Sequence, residues 1–255
     1  MPFLRQSIAK TVTYARRHGA SLTKEQLCLR LLSNRLYPDE KIIKTAKLMG
    51  IPLKNGESNK IVTAKLRKAE WLAQQLTRFN TIEMIGVTGS VAAENCDIDD
   101  DIDLLIITKA QSLWLTRFQV MFWLWIHKIP HRRYFRPEAR DMFCFNLWLE
   151  SDSLGIINHR QNRSSAVDLV MMKPVYDQNN CYQRFLNANS WAKKFVATGY
   201  QKLILNNKFL MTNKRPTTSL FWKIVNWKCY VLQRIYMNGK IGKGDVGLKW
   251  AYFYP

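Results

Sequence analysis

Acidic residues are scarce in this chain of 255 residues. Nineteen Asp and Glu stand against thirty-nine Lys and Arg, for a net charge of +20. An excess of that size favours a polyanionic partner, such as nucleic acid or an anionic membrane surface. The shortage is uneven: residues 81–200 hold thirteen acidic and thirteen basic side chains, whereas residues 201–255 hold one acid, Asp245, against ten bases. Cysteine is also sparse. Cys28, Cys96, Cys144, Cys181 and Cys229 lie far apart and form no CxxC pair, which excludes a zinc ribbon or dithiol motif and predicts reduced thiols in the cytoplasm. The four histidines, at 18, 127, 131 and 159, have no metal-ligand spacing. No apolar run reaches the ~20 residues of a membrane span: the most apolar stretch, Leu113 to Ile126, is broken by Arg117 and Gln119, so no membrane partner is expected. No apolar core follows Arg5 and Lys10 to make a secretory signal, and repeats and low-complexity tracts are absent. What is present is a 47% apolar composition, ample for a packed core.

Helical spacing predicts three short helices before residue 50. Ile8, Val12 and Ala15 mark the first; Leu27, Cys28, Leu31 and Leu32 mark a second after a capping box from Thr23 to Gln26; Ile42, Ala46 and Met49 mark a third, ending at Gly50. With Asn55-Gly56 as the turn of a small hairpin between Ile51 and Ile61, residues 1–56 read as a helical, winged-helix-like domain. A plain helical cap is the alternative. A longer amphipathic helix over 57–79 puts Val62, Leu66, Ala69, Ala73 and Leu76 on one stripe, with Lys60, Lys65, Arg67 and Lys68 outside it. A buried strand at Ile82–Thr88, a helix start at Ser90–Glu94, a strand at Asp101–Thr108, an almost wholly apolar helix at Leu113–His127 and a strand at Met142–Leu149 follow. This alternation predicts an α/β layer fold. The segment from Ser164 onward reads mainly as helix, punctuated by Lys173-Pro174, and residues 201–255 as a basic helical region.

Two short motifs carry the chemistry. At Val87-Thr88-Gly89-Ser90 a strand ends on a glycine that permits close backbone approach and a serine at a helix start, an arrangement suited to phosphate. After ten intervening residues come Asp101-Ile102-Asp103-Leu104. On a strand both carboxylates project the same way with α-carbons roughly 6.6 Å apart, while Ile102 and Leu104 point to the opposite face and set the register. Such a pair suits Mg²⁺ or Mn²⁺, which take oxygen ligands and bridge to phosphates. A calcium loop beginning at Asp97 is excluded, because its sixth position is Ile102 instead of glycine and its twelfth is Thr108 instead of glutamate.

This pattern resembles the signature of the DNA polymerase beta superfamily of nucleotidyltransferases, over roughly residues 57–200. The run from Thr88 through Asp101 to Leu115-Thr116-Arg117 is also similar to a bacterial group in which a winged-helix segment precedes such a domain. The resemblance implies a mixed sheet flanked by helices. It implies that Gly89 and Ser90 hold a nucleoside triphosphate and that Asp101 and Asp103 bind the metal ions for nucleotidyl transfer to a hydroxyl of RNA, a protein or a small molecule. A third carboxylate usually comes from a later strand. Here the predicted strand offers Asn146 in its interior, with Asp141 and Glu150 at its ends.

Lys109 and Arg117, downstream of the aspartates, are candidates for binding the nucleotide's phosphates. Arg132, Arg133 and Arg136, interleaved with Tyr134 and Phe135, form a candidate nucleic-acid contact, with solvated charge around anchoring aromatics as the alternative. The same features admit a nucleic-acid-binding regulator with a catalytically degenerate domain, or one component of a toxin and antitoxin pair.

Overall fold

The computed structural model describes residues 2–56, 59–132, 140–206, 220–238 and 244–253. Three helices, α1 (Pro2–Arg17), α2 (Lys24–Leu29) and α3 (Asp39–Leu48), close around Ile8, Leu27, Leu31, Ile42 and Ala46. The Thr23 capping box forms as expected: the Thr23 hydroxyl accepts from Gln26 N, and the Gln26 side chain accepts from Thr23 N. Among the described residues, however, Asn55-Gly56 does not close a hairpin. Lys54 bridges in parallel to Thr23, because Ile51 and Leu53 pack against this helical core and carry the chain alongside the start of α2.

The remainder is built on one six-stranded sheet. Helix α4 (Lys60–Leu76) leads into β1 (Ile82–Val87), the single-turn α5 (Gly89–Ala92), β2 (Ile102–Thr108), α6 (Leu113–Ile126) and β3 (Phe143–Glu150). Then come α7 (Arg163–Met171), β4 (Lys173–Asp177), α8 (Cys181–Ala188), α9 (Lys193–Asn206), α10 (Leu220–Met237), β5 (Asp245–Val246) and β6 (Trp250–Tyr252). Strand order is β4-β1-β2-β3-β6-β5. Only β2 and β3 pair in parallel, joined by the α6 crossover. Three of these strands, β4, β5 and β6, were not foreseen. Lys173-Pro174 opens β4, and proline is tolerated there because β4 lies at the sheet's edge. The C-terminal region likewise supplies β5 and β6 as well as a helix.

Alternation along β2 splits the core. Ile102, Leu104 and Ile106 face one layer with α4 and α6, including Leu72, Leu76, Val120 and Leu124. Leu105 and Ile107, which share the face of Asp103, meet Val167, Leu169, Phe185 and Tyr200 from α7, α8 and α9. Helix α6 is less enclosed than its composition predicts: Trp114, Val120 and Leu124 are buried, whereas Phe118, Phe122 and Trp125 are exposed. Its first amide groups are satisfied from outside the helix. Asn226 of α10 accepts from Trp114 N at 2.9 Å and Leu115 N at 3.0 Å, and Glu150 accepts from Leu113 N at 3.2 Å.

Candidate active site

The acidic loop and the strand it feeds are held from behind. Lys65 of α4, only 2% exposed, donates from Nζ to Ile98 O at 3.1 Å and Asp100 O at 2.6 Å, and pairs with Asp141 at 3.2 Å. The periodicity of α4 put Lys65 outside the buried stripe. The structure corrects this: the backbone carbonyls of the acidic loop form a polar socket that a purely apolar periodicity cannot register. With the loop anchored and Ile102 and Leu104 buried, Asp101 and Asp103 emerge together. One ligand atom from each lies within 4.8 Å of the other, and of the Cys144 thiol.

Both expected motifs meet at Asp103. Gly89 has φ +66°, and a Cβ at this position would overlap Asp103 Oδ2. Thr88 N also donates to Asp103 O at 2.9 Å, closing the strand pair where the glycine begins. Ser90 follows in the first turn of α5, half-buried. Across the sheet, Asp103 lies opposite Cys144, and Leu105 lies opposite Leu147, so β3 carries one extra residue between these pairs. A bulge of this kind re-aims side chains. Asn146 Nδ2 donates to Asp103 Oδ1, and Cys144 Sγ donates to Asn146 Oδ1 at 2.9 Å.

The electrostatics favour a cation. Burial, reinforced by the charge of Asp101, pushes the Asp103 carboxyl up to about 7, against the opposing influence of its Asn146 hydrogen bond and of Arg132. Arg132 reaches Asp101 Oδ2 at 2.5 Å, and that bond raises its own pKa. Burial also raises the Cys144 thiol, followed by the negative charges of Asp103 and Asp101.

The other expected residues are distributed as follows. Asp141 sits at φ +56° between Lys65 and Lys68, the latter at 2.8 Å, and does not join Asp101 and Asp103. Glu150 lies at the far end of β3, capping α6. Lys109 follows the opposite end of β2 from Asp103, about 20 Å along an extended strand, where its amide donates to Thr81 O at 2.7 Å. Arg117 bonds Gln233 of α10 and lies 4.6 Å above the Phe253 ring. The acid-rich end of the sheet therefore receives neither cation, because β2 and the start of α6 carry both to the other end. Arg132, expected at a nucleic-acid surface, belongs to the carboxylate site instead; Arg133 and Arg136 lie outside the described residues. Cys144 was missed. Its signal was its parity with Asn146, two residues along the same strand.

No family model and no curated protein matches the chain. A crystal structure from Sulfolobus solfataricus, presented as a candidate nucleotidyltransferase, is similar over 36% of this chain and 78% of its own, with 16% identity and a TM-score of 0.23. So slight a likeness adds nothing to the geometry. The fold and site together define an α/β protein with a mixed sheet flanked by helices and a paired-carboxylate centre at one end of its parallel strands.

Proposed function

We propose that the chain is a divalent-metal-dependent nucleotidyltransferase, moving a nucleoside monophosphate from a nucleoside triphosphate to a hydroxyl with release of pyrophosphate. The observation that carries this reading is the junction of Asp101 and Asp103 with the left-handed Gly89. Two crowded carboxylates, one strongly shifted by burial, lose their mutual repulsion when a divalent ion lies between them, and their hard oxygen donors suit Mg²⁺ or Mn²⁺. Asp101 and Asp103 would hold it. When bound, the metal supplies charge neutralisation at the reacting phosphate.

The chain's own residues do the positioning. Asn146 fixes one oxygen of Asp103, leaving Oδ2 toward Gly89. The missing side chain at Gly89 lets a phosphate approach the backbone beside that oxygen, and Ser90 offers a hydroxyl to the same group. Arg132 supplies positive charge at the rim and can exchange Asp101 for a phosphate oxygen.

The test is incubation of the purified chain with each α-labelled nucleoside triphosphate, Mg²⁺ or Mn²⁺, and cell extract. A labelled acceptor is expected, with labelling reduced about a hundredfold or more in Asp101→Asn and in Asp103→Asn. Equal labelling by the double variant would sink the reading. A second reading rests on Asn146 standing where a third carboxylate is expected while Asp141 is engaged by lysines. In it the domain binds nucleotide without transferring it and the basic flanks contact nucleic acid. Metal-dependent nucleotide binding with no labelled acceptor under any nucleotide is its signature.

A further inference from the structure

Behind Asp103 the sheet face is not filled. A cavity of about 230 Å³ is lined by Gly89 and Asp103, by the apolar Leu105, Leu147 and Phe185, and by one face of α7. Ser165, Asp168 and Leu169 face it at helical spacing. The one ionisable side chain on that wall among the described residues is Asp168.

Asp168 is open to solvent yet closely surrounded by protein, as befits a side chain on a concave wall. Burial pushes its carboxyl up to about 6, opposed by the charge of Arg30. Arg30 does not bond to it. The Arg30 guanidinium donates to Ala93 O and, at 3.1 Å, to Met171 Sδ. Among the described residues no hydrogen bond reaches the Asp168 carboxylate. A carboxylate that faces the cavity with no protein donor engaged is free to accept a charge-assisted hydrogen bond from a ligand.

We propose that this cavity receives the acceptor, and that the acceptor is a small alcohol with an apolar body and a protonated amine, the ammonium on Asp168 and the hydroxyl toward Asp103. This rests on the transferase reading. A cavity of about 230 Å³ is on the scale of a small ring. The hydroxyl oxygen forms the new bond to the α-phosphorus of the nucleoside triphosphate, the bond from that phosphorus to pyrophosphate breaks, and the hydroxyl proton passes to water. The amine is not consumed; it sets orientation.

The test uses trans-4-aminocyclohexanol and its neutral counterpart cyclohexane-1,4-diol in ligand-observed NMR titrations of the full chain, with ATP and Mg²⁺ titrated separately. Wild type is expected to prefer the amine by about tenfold or more, the scale of one charge-assisted hydrogen bond. Asp168→Asn abolishes the preference and leaves ATP affinity unchanged, while Ser165→Leu, which narrows the cavity from an independent position, weakens both probes. Equal binding of the two probes to wild type, or a preference that survives Asp168→Asn, overturns the proposal. So does an Asp168→Asn loss that falls on ATP, because the cavity then holds the nucleobase. Amine preference without ATP binding sinks the transferase reading and leaves the amine site standing; ATP binding without amine preference does the reverse.

Discussion

At the scale of single residues, the site depends on one side chain that is missing. Gly89 combines a left-handed φ with contact against Asp103 Oδ2, so any Cβ there meets both backbone strain and a carboxylate. Gly89→Ala is expected to lower stability by about 1–3 kcal/mol in chemical denaturation. It should reduce nucleotidyl transfer by far more than that loss explains, because Asp103 must move aside. Transfer unchanged in a folded Gly89→Ala protein would remove the close approach from the mechanism. Cys144 and Asn146 act at the same scale: both bear on Asp103, one through its thiol and the other through a direct hydrogen bond.

At the scale of elements, α4 is more than a cover for the sheet. Through Lys65 it grips the acidic loop by two carbonyls and Asp141 together, so the position of Asp101 is set partly by a helix more than thirty residues upstream. Replacing Lys65 with Met keeps the stem but leaves those acceptors without their donor. The expected cost is about 3 kcal/mol, measured by urea unfolding, with weaker Mn²⁺ binding in the folded fraction as the loop loosens. A stability change under about 0.5 kcal/mol, the range of ordinary surface substitutions, would show that Lys65 is a solvated charge. The bulge in β3 is the second device at this scale. It lets Cys144 and Asn146 face Asp103 while Leu147 and Leu149 still enter the core behind it.

At the scale of the whole molecule, the N-terminal helical unit is tied to the central layer and the C-terminal region is built into its sheet. Arg30 of the N-terminal helical unit reaches Ala93 beside α5, and β6 from the C-terminal region pairs with β3. Helix α10 packs on α6 and turns outward a face with Trp227, Leu232 and Ile235 exposed, accompanied by Lys223 and Lys228 and no acidic residue. Aromatic and basic side chains on one exposed surface suit a single-stranded polyanion. Affinity for single-stranded nucleic acid is expected to fall steeply between about 50 and 200 mM salt, with a slope reduced by about one for each of Lys223→Glu and Lys228→Glu that removes a phosphate contact. Binding that is flat in salt, or indifferent to both reversals, would exclude this surface. Among the described residues no helix is long and apolar enough to cross a membrane.

Local chemistry was legible in the sequence because it depends on neighbours along the chain. The Thr23 capping box, the β1 and β2 strands and the shared face of Asp101 and Asp103 follow from spacing of two, three or four residues, which backbone geometry alone converts into direction, and the glycine after β1 was legible as a point of close backbone approach. Tertiary structure decided the rest. It enlisted Cys144 and Arg132, buried Lys65, carried Lys109 and Arg117 to the opposite end of the sheet, added β4, β5 and β6, and opened a cavity against Asp168. For Cys144, Arg132, Lys65, β4, β6 and the cavity the reason is common: each depends on a partner tens of residues away in sequence, and a chain's local pattern states which way a side chain points but not what will be packed opposite it.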